Sequence, residues 1–135
     1  MATDDDGIYV SRSLNERGKR ENIISVCTMD DKFVKEKRDV SSQLDRDGRF
    51  MDFGDASVVD DRLYVALYNW NSLPSIKMPL YSKIALFDAN NLLLLALYDV
   101  GGNAAEGITY REGHFWITFH DKPIIKEFDA DFRLV

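Results

Sequence analysis

Residues 55–68 read Asp55-Ala56-Ser57-Val58-Val59-Asp60-Asp61-Arg62-Leu63-Tyr64-Val65-Ala66-Leu67-Tyr68. β-branched and aromatic residues on both sides of an Asp-rich turn predict a β-hairpin. The same pattern returns as Gly107-Ile108-Thr109-Tyr110-Arg111, then Glu112-Gly113, then His114-Phe115-Trp116-Ile117-Thr118-Phe119. The two stretches align with Ala56 on Ile108, Val58 on Tyr110, Leu63 on Phe115 and Val65 on Ile117.

A second kind of hairpin follows each of these. Ile84-Ala85-Leu86-Phe87 meets the turn Asp88-Ala89-Asn90-Asn91 and continues from Leu92 to Val100, and Ile124 to Phe128 meets Asp129-Ala130-Asp131 and continues to Val135. Upstream, Ile23 to Met29 turns at Asp30-Asp31 and returns from Phe33 to Val40, and Asp5-Asp6-Gly7-Ile8-Tyr9-Val10 matches the second half of the first hairpin type. A four-strand unit recurring every 40–50 residues or so is the sequence form of a β-propeller. The expected fold is therefore all-β, with antiparallel four-stranded blade-like repeats making half of a β-propeller. A β-sandwich or an open curved β-sheet is the alternative. Leu92-Leu93-Leu94-Leu95-Ala96-Leu97-Tyr98 has helix-favouring composition, but Gly101-Gly102 ends the run early, so it is read as a buried strand.

The stretches 54–67 and 105–117 resemble blades of six-bladed propellers of the gluconolactonase, strictosidine-synthase and NHL-repeat group. The resemblance implies one domain over 1–135, with an incomplete blade one at 5–40, blade two at 53–100 and blade three at 104–135. Blade one is expected to begin at Ile8 with its second strand, because Met1-Ala2-Thr3-Asp4 is short and polar. Such a half ring exposes sheet at both ends, so self-association is expected, a dimer completing a six-bladed ring being the sharpest version. The alternative is an open sheet whose ends are covered by loops at 11–22 and 41–52.

Composition bounds the partners. The 135 residues carry a net charge of −6, which disfavours binding to a nucleic-acid backbone. Residues 1–50 are near neutral, with 10 basic against 11 acidic side chains, whereas residues 51–135 carry 7 against 12. The acidity thus falls on the part holding the paired hairpins and favours a neutral or cationic ligand. The single cysteine, Cys27, cannot form an internal disulfide, the N-terminus lacks the order of a signal peptide, and no apolar run is long enough to cross a membrane. A cytoplasmic setting is the expectation.

In a blade, the start of the first strand and the end of the second share one face. That gathers Asp55, Asn103 and Glu106, oxygen donors suited to Ca²⁺ or Mg²⁺, with Tyr68, Asn69, Trp70, Asn71 and His120, aromatic and amide groups suited to a small molecule or glycan. In the resembled families calcium-dependent lactonases commonly place a carboxylate ligand where Glu106 stands in its Glu-Gly pair. The alternative for Asp55 and Glu106 is hydrogen bonding to neighbouring backbone amides, and for Trp70 a place in the core. Cys27 reads as a core thiol within a strand, and His114 and His120 read as loop groups. No nucleophile elbow, zinc set or phosphate loop is present. The expected function is a non-catalytic, oligomeric binding scaffold without a cofactor. The alternatives are a divalent-metal-dependent lactonase or hydrolase, and a detached piece of a longer propeller with no activity of its own.

Overall fold

A computed structural model describes residues 2–4, 7–16, 19–28, 34–44, 52–69 and 79–135. The fold is all-β, in three antiparallel sheets taken in chain order. The first holds β1 (Ala2–Asp4), β2 (Gly7–Glu16), β3 (Lys19–Cys27) and β4 (Val34–Asp39), followed by the short helix α1 (Ser41–Leu44). The second holds β5 (Asp52–Val59), β6 (Arg62–Tyr68), β7 (Ser82–Asp88) and β8 (Leu94–Gly101). The third holds β9 (Ala105–Arg111), β10 (His114–Phe119) and β11 (Ile125–Phe128). In each sheet every strand pairs with its sequence neighbour.

Four sequence expectations need correction. Ala2–Asp4 does supply a first strand, with Ala2 opposite Tyr9 and Asp4 opposite Gly7; backbone pairing does not require an apolar strand, and burial of Ala2 anchors it. The 11–22 stretch is not a covering loop, because β2 and β3 run through it in register from Ile8 opposite Cys27 to Glu16 opposite Lys19. The third sheet has three strands, and residues 132–135 add only an isolated bridge between Phe128 and Leu134. The leucine-rich run is a strand from Leu94, as its early glycine stop implied, but it is not the buried strand expected, since Leu95 is 52% exposed and only Val100 of the strand is buried.

Turn chemistry explains the hairpins. Asp60 and Asp61 both have positive φ, 47° and 60°, as do Glu112 and Gly113 at 52° and 85°. Two consecutive left-handed residues make the turn whose twist matches that of paired strands. The registers also agree: Ala56 faces Val65 and Val58 faces Leu63, as Ile108 faces Ile117 and Tyr110 faces Phe115. The second hairpin type uses an aspartate as its brace. Asp88 Oδ1 accepts the Asn90 amide at 2.8 Å, and Asp129 Oδ1 accepts the amides of Asp131 and Arg133 at 2.9 Å each. Each brace holds a large apolar residue in the left-handed region, Leu92 at φ 57° and Phe132 at φ 58°, and both side chains are buried. Burial of a large side chain offsets the roughly 1–2 kcal/mol that a left-handed backbone costs.

Packing follows strand alternation. Leu63, Val65, Leu67 and Phe87 point toward the first sheet and meet Tyr9, Ile24 and Val40. Tyr64, Ala66 and Ile84 point the other way and meet Phe115, Ile117 and Phe128 of the third sheet. Phe115 is the hub of this second core, with ring centroids 4.5 Å from Phe132, 4.6 Å from Tyr64 and 5.0 Å from Tyr110. The early strands adjoin: β5 lies against β1 and β2 on one side and β9 on the other. Gly54 makes that approach possible, since a Cβ there would stand 2.4 Å from the Glu106 carbonyl oxygen. On the opposite side Ser11 Oγ donates to the Gly54 carbonyl at 2.9 Å, and Ser13 Oγ accepts the Phe53 amide at 2.7 Å.

Candidate functional site

Tyr68 ends β6 on the side that faces the third sheet, and Glu106 is the second residue of β9. The close contact of Gly54 with the Glu106 backbone sets the distance between those sheets. Across this gap the Tyr68 hydroxyl lies near enough to the Glu106 carboxylate to feel its charge and its hydrogen-bonding oxygens. One oxygen of this carboxylate, Oε2, is buried and has no hydrogen-bond partner among the described residues. The Tyr68 ring stacks on His120, with centroids 6.4 Å apart and planes 16° from parallel. The His120 amide donates to the Ala104 carbonyl at 2.7 Å, which ties the end of β10 to the start of β9. Tyr68, Glu106 and His120 are thus brought together.

Sequence reasoning missed Asp52. It stands opposite Tyr68 in the β5–β6 register and is buried. Its position at the start of β5, equivalent to that of other strand-start acids, was the available signal. Burial, the Glu106 charge and hydrogen bond, and the Asp52 charge all push the Tyr68 hydroxyl well above the ordinary tyrosine value of 10.0. The folded protein therefore holds Tyr68 protonated where an unfolded chain would release the proton. This contribution to stability is complete below pH 10 and is lost as pH rises toward the folded value. Alongside Tyr64, which burial also raises, tyrosinate absorbance in an alkaline titration should show Tyr68 ionising late. In Glu106→Gln that tyrosine should ionise at lower pH, because the neighbouring negative charge is gone.

The other expected site residues go elsewhere. Asn69 is fully buried; its Nδ2 donates to the Pro79 carbonyl at 3.1 Å, and its Oδ1 accepts the Tyr81 amide at 2.9 Å. It therefore staples together the two ends of the β6–β7 connection. Asn103 Nδ2 donates to Asp121 Oδ2 at 3.1 Å, and its Oδ1 accepts from Lys126 Nζ at 3.4 Å. Burial raises the Asp121 carboxyl, but the Ala104 amide, the Asn103 side chain, its own amide and Lys122 together hold it below the ordinary value. Asp55 is exposed and accepts the adjacent Ala56 amide at 2.8 Å. Trp70 and Asn71 lie outside the described residues.

Among the described residues no group of three or more His, Cys, Asp and Glu side chains is placed to hold a metal ion. Cys27 is the last residue of β3 and half-buried rather than sealed within a strand. His114 opens β10 and its Nδ1 is bonded to the Glu127 carboxylate. No helix of the described residues is long and apolar enough to cross a membrane. No protein-family model matches the chain, and a search of curated proteins found none similar to it.

Proposed function

We propose that the three sheets act as blades of a β-propeller-like assembly, and that the chain is a non-catalytic scaffold binding a small neutral or cationic ligand at Glu106 and Tyr68. One observation carries this reading: Glu106 Oε2 is buried with no hydrogen-bond partner among the described residues. A buried acceptor left unpaired costs about 1–3 kcal/mol or more. An N–H, O–H or cationic group from a ligand removes that cost. The acidic surroundings of Glu106 and Asp52 select against anions, and the stacked Tyr68 and His120 rings offer a flat apolar wall of the kind that sugars and small heterocycles use. In the sequence Tyr68 is followed closely by Trp70 and Asn71.

The test is a thermal-shift panel of amines, glycans and lactones, with Ca²⁺, Mg²⁺ and Mn²⁺ as separate arms. A ligand at a hundredfold excess over its Kd stabilises the native state by about 2.7 kcal/mol, which for a chain of this size raises Tm by roughly 10 °C. The rise should disappear in Glu106→Ala and survive in Asp121→Asn. A panel with no Glu106-dependent shift would remove the binding reading. A shift confined to the divalent cations would move the site toward metal-dependent chemistry.

A further inference from the structure

The two internal junctions are built from matching rows of residues. In the first sheet Tyr9 and Ile24 face the second sheet and are buried. In the second sheet Tyr64 and Ile84 hold the corresponding places and face the third sheet. The correspondence is carried by register: Ser11 faces Ile24, Ala66 faces Ile84, and Thr118 faces Ile125. In the third sheet the row is therefore Trp116, Thr118 and Ile125. Nothing described covers it: Trp116 is 38% exposed and Ile125 66% exposed, whereas Ile24 and Ile84 are each 0% exposed. A groove of about 510 Å³ runs along this face between Thr109, Arg111, Trp116 and Ile125.

The reverse holds at the other end. Leu63, Val65 and Phe87 of the second sheet are the row that docks onto the sheet before it, as are Phe115, Ile117 and Phe128 of the third. Register places Ile8, Val10 and Cys27 in the same row of the first sheet, since Ile8 faces Cys27 as Leu63 faces Phe87 and Phe115 faces Phe128. Ile8, Val10 and Cys27 are only half-buried, whereas their counterparts are sealed. Among the described residues the first and third sheets thus present the two unlike halves of a junction made twice inside the molecule, with Ile23 and Ser25 of the first-sheet face already buried.

We infer that the Trp116–Ile125 face of one copy seats the Ile8–Val10 face of a second copy, and that two such contacts close a ring of six sheets. The inference rests on the blade reading above and names its partner. The contact is head-to-tail, so each copy uses two different surfaces, and a pair closes only if both are satisfied. The fit comes from continuity with the internal junctions, since aromatic on the second strand and isoleucine on the third recur at all three faces.

Light scattering at micromolar concentration tests it. Wild type should show twice the 15.5 kDa chain mass. Trp116→Glu and Val10→Glu should each halve that mass with unchanged far-ultraviolet circular dichroism. Ile125→Asp, at an exposed position, serves if either spectrum changes. A wild type of single-chain mass overturns the proposal. So does a Val10→Glu variant that keeps the doubled mass while Trp116→Glu loses it, because that marks pairing of the Trp116 face with itself. A monomer that still shows the Glu106-dependent thermal shift removes the ring and leaves the binding reading standing. A dimer without that shift does the opposite.

Discussion

Gly54→Val is expected to destabilise the protein by about 3 kcal/mol or more, at the upper end of what overpacking costs. The reason is the nature of the neighbour. A Cβ at residue 54 would lie 2.4 Å from the Glu106 carbonyl oxygen, 2.9 Å from its Cα and 3.0 Å from its carbonyl carbon. These are main-chain atoms of β9, held in place by pairing with β10, so no side-chain rotation relieves the clash. The other side of Gly54 is also engaged, through the Ser11 hydroxyl on its carbonyl. The second and third sheets must move apart, and the movement carries Glu106 away from Tyr68. Chemical denaturation should show a lowered midpoint, and the ionisation of Tyr68 should shift toward ordinary behaviour in the same variant. A midpoint within experimental error of wild type would falsify the close packing of these strands.

Phe115→Ala is expected to cost about 3–5 kcal/mol, the range for removing a buried aromatic from a core. Phe115 is 2% exposed and touches the rings of Tyr64, Tyr110 and Phe132. Its loss removes the nearest ring packed on Phe132, which occupies a left-handed conformation that burial helps to sustain. The lost area and the released turn therefore act in the same direction. Against a typical stability of about 5–15 kcal/mol, the variant should unfold at markedly lower denaturant or remain partly unfolded at 37 °C or so. Phe115→Leu, which keeps most of the volume, should recover over half of the loss. Equal midpoints for the alanine variant and wild type would show that the third sheet is not docked through this ring cluster.

The second and third sheets were legible because their information is local. Asp60-Asp61 and Glu112-Gly113 specify the turn, and the alternation of Leu63, Val65 and Leu67 with Tyr64 and Ala66 specifies two buried faces. The first sheet was not legible in the same way, because its early ladder is written in polar residues. Asn22 is 2% exposed, yet its side chain accepts from Ser13 Oγ at 2.7 Å, and its amide donates to Ser41 Oγ at 2.8 Å. Such residues look like a loop until their partners, far along the chain, are known.

The site divides similarly. Tyr68, Glu106 and His120 are positioned by strand ends, which sequence reasoning can locate. Asp55, Asn69 and Asn103 lie on the right segments, but their side chains are claimed by Ala56, by Pro79 and Tyr81, and by Asp121 and Lys126. Short polar side chains bond to whatever main chain is nearest, and spacing alone does not reveal which direction they take.

The neighbour-to-neighbour order of strands also bears on how the chain reaches this state. Apart from the long connection between Tyr68 and Ser82, the strands pair with sequence neighbours across short separations, whose entropic cost is small, whereas the Ser11–Gly54–Glu106 stack joins segments distant in sequence. Contact order thus favours hairpins first and junctions last. Interactions formed after the rate-limiting step govern how fast a protein comes apart rather than how fast it assembles. A glycine chosen to let two backbones touch is, on this account, a residue that sets the lifetime of the folded molecule.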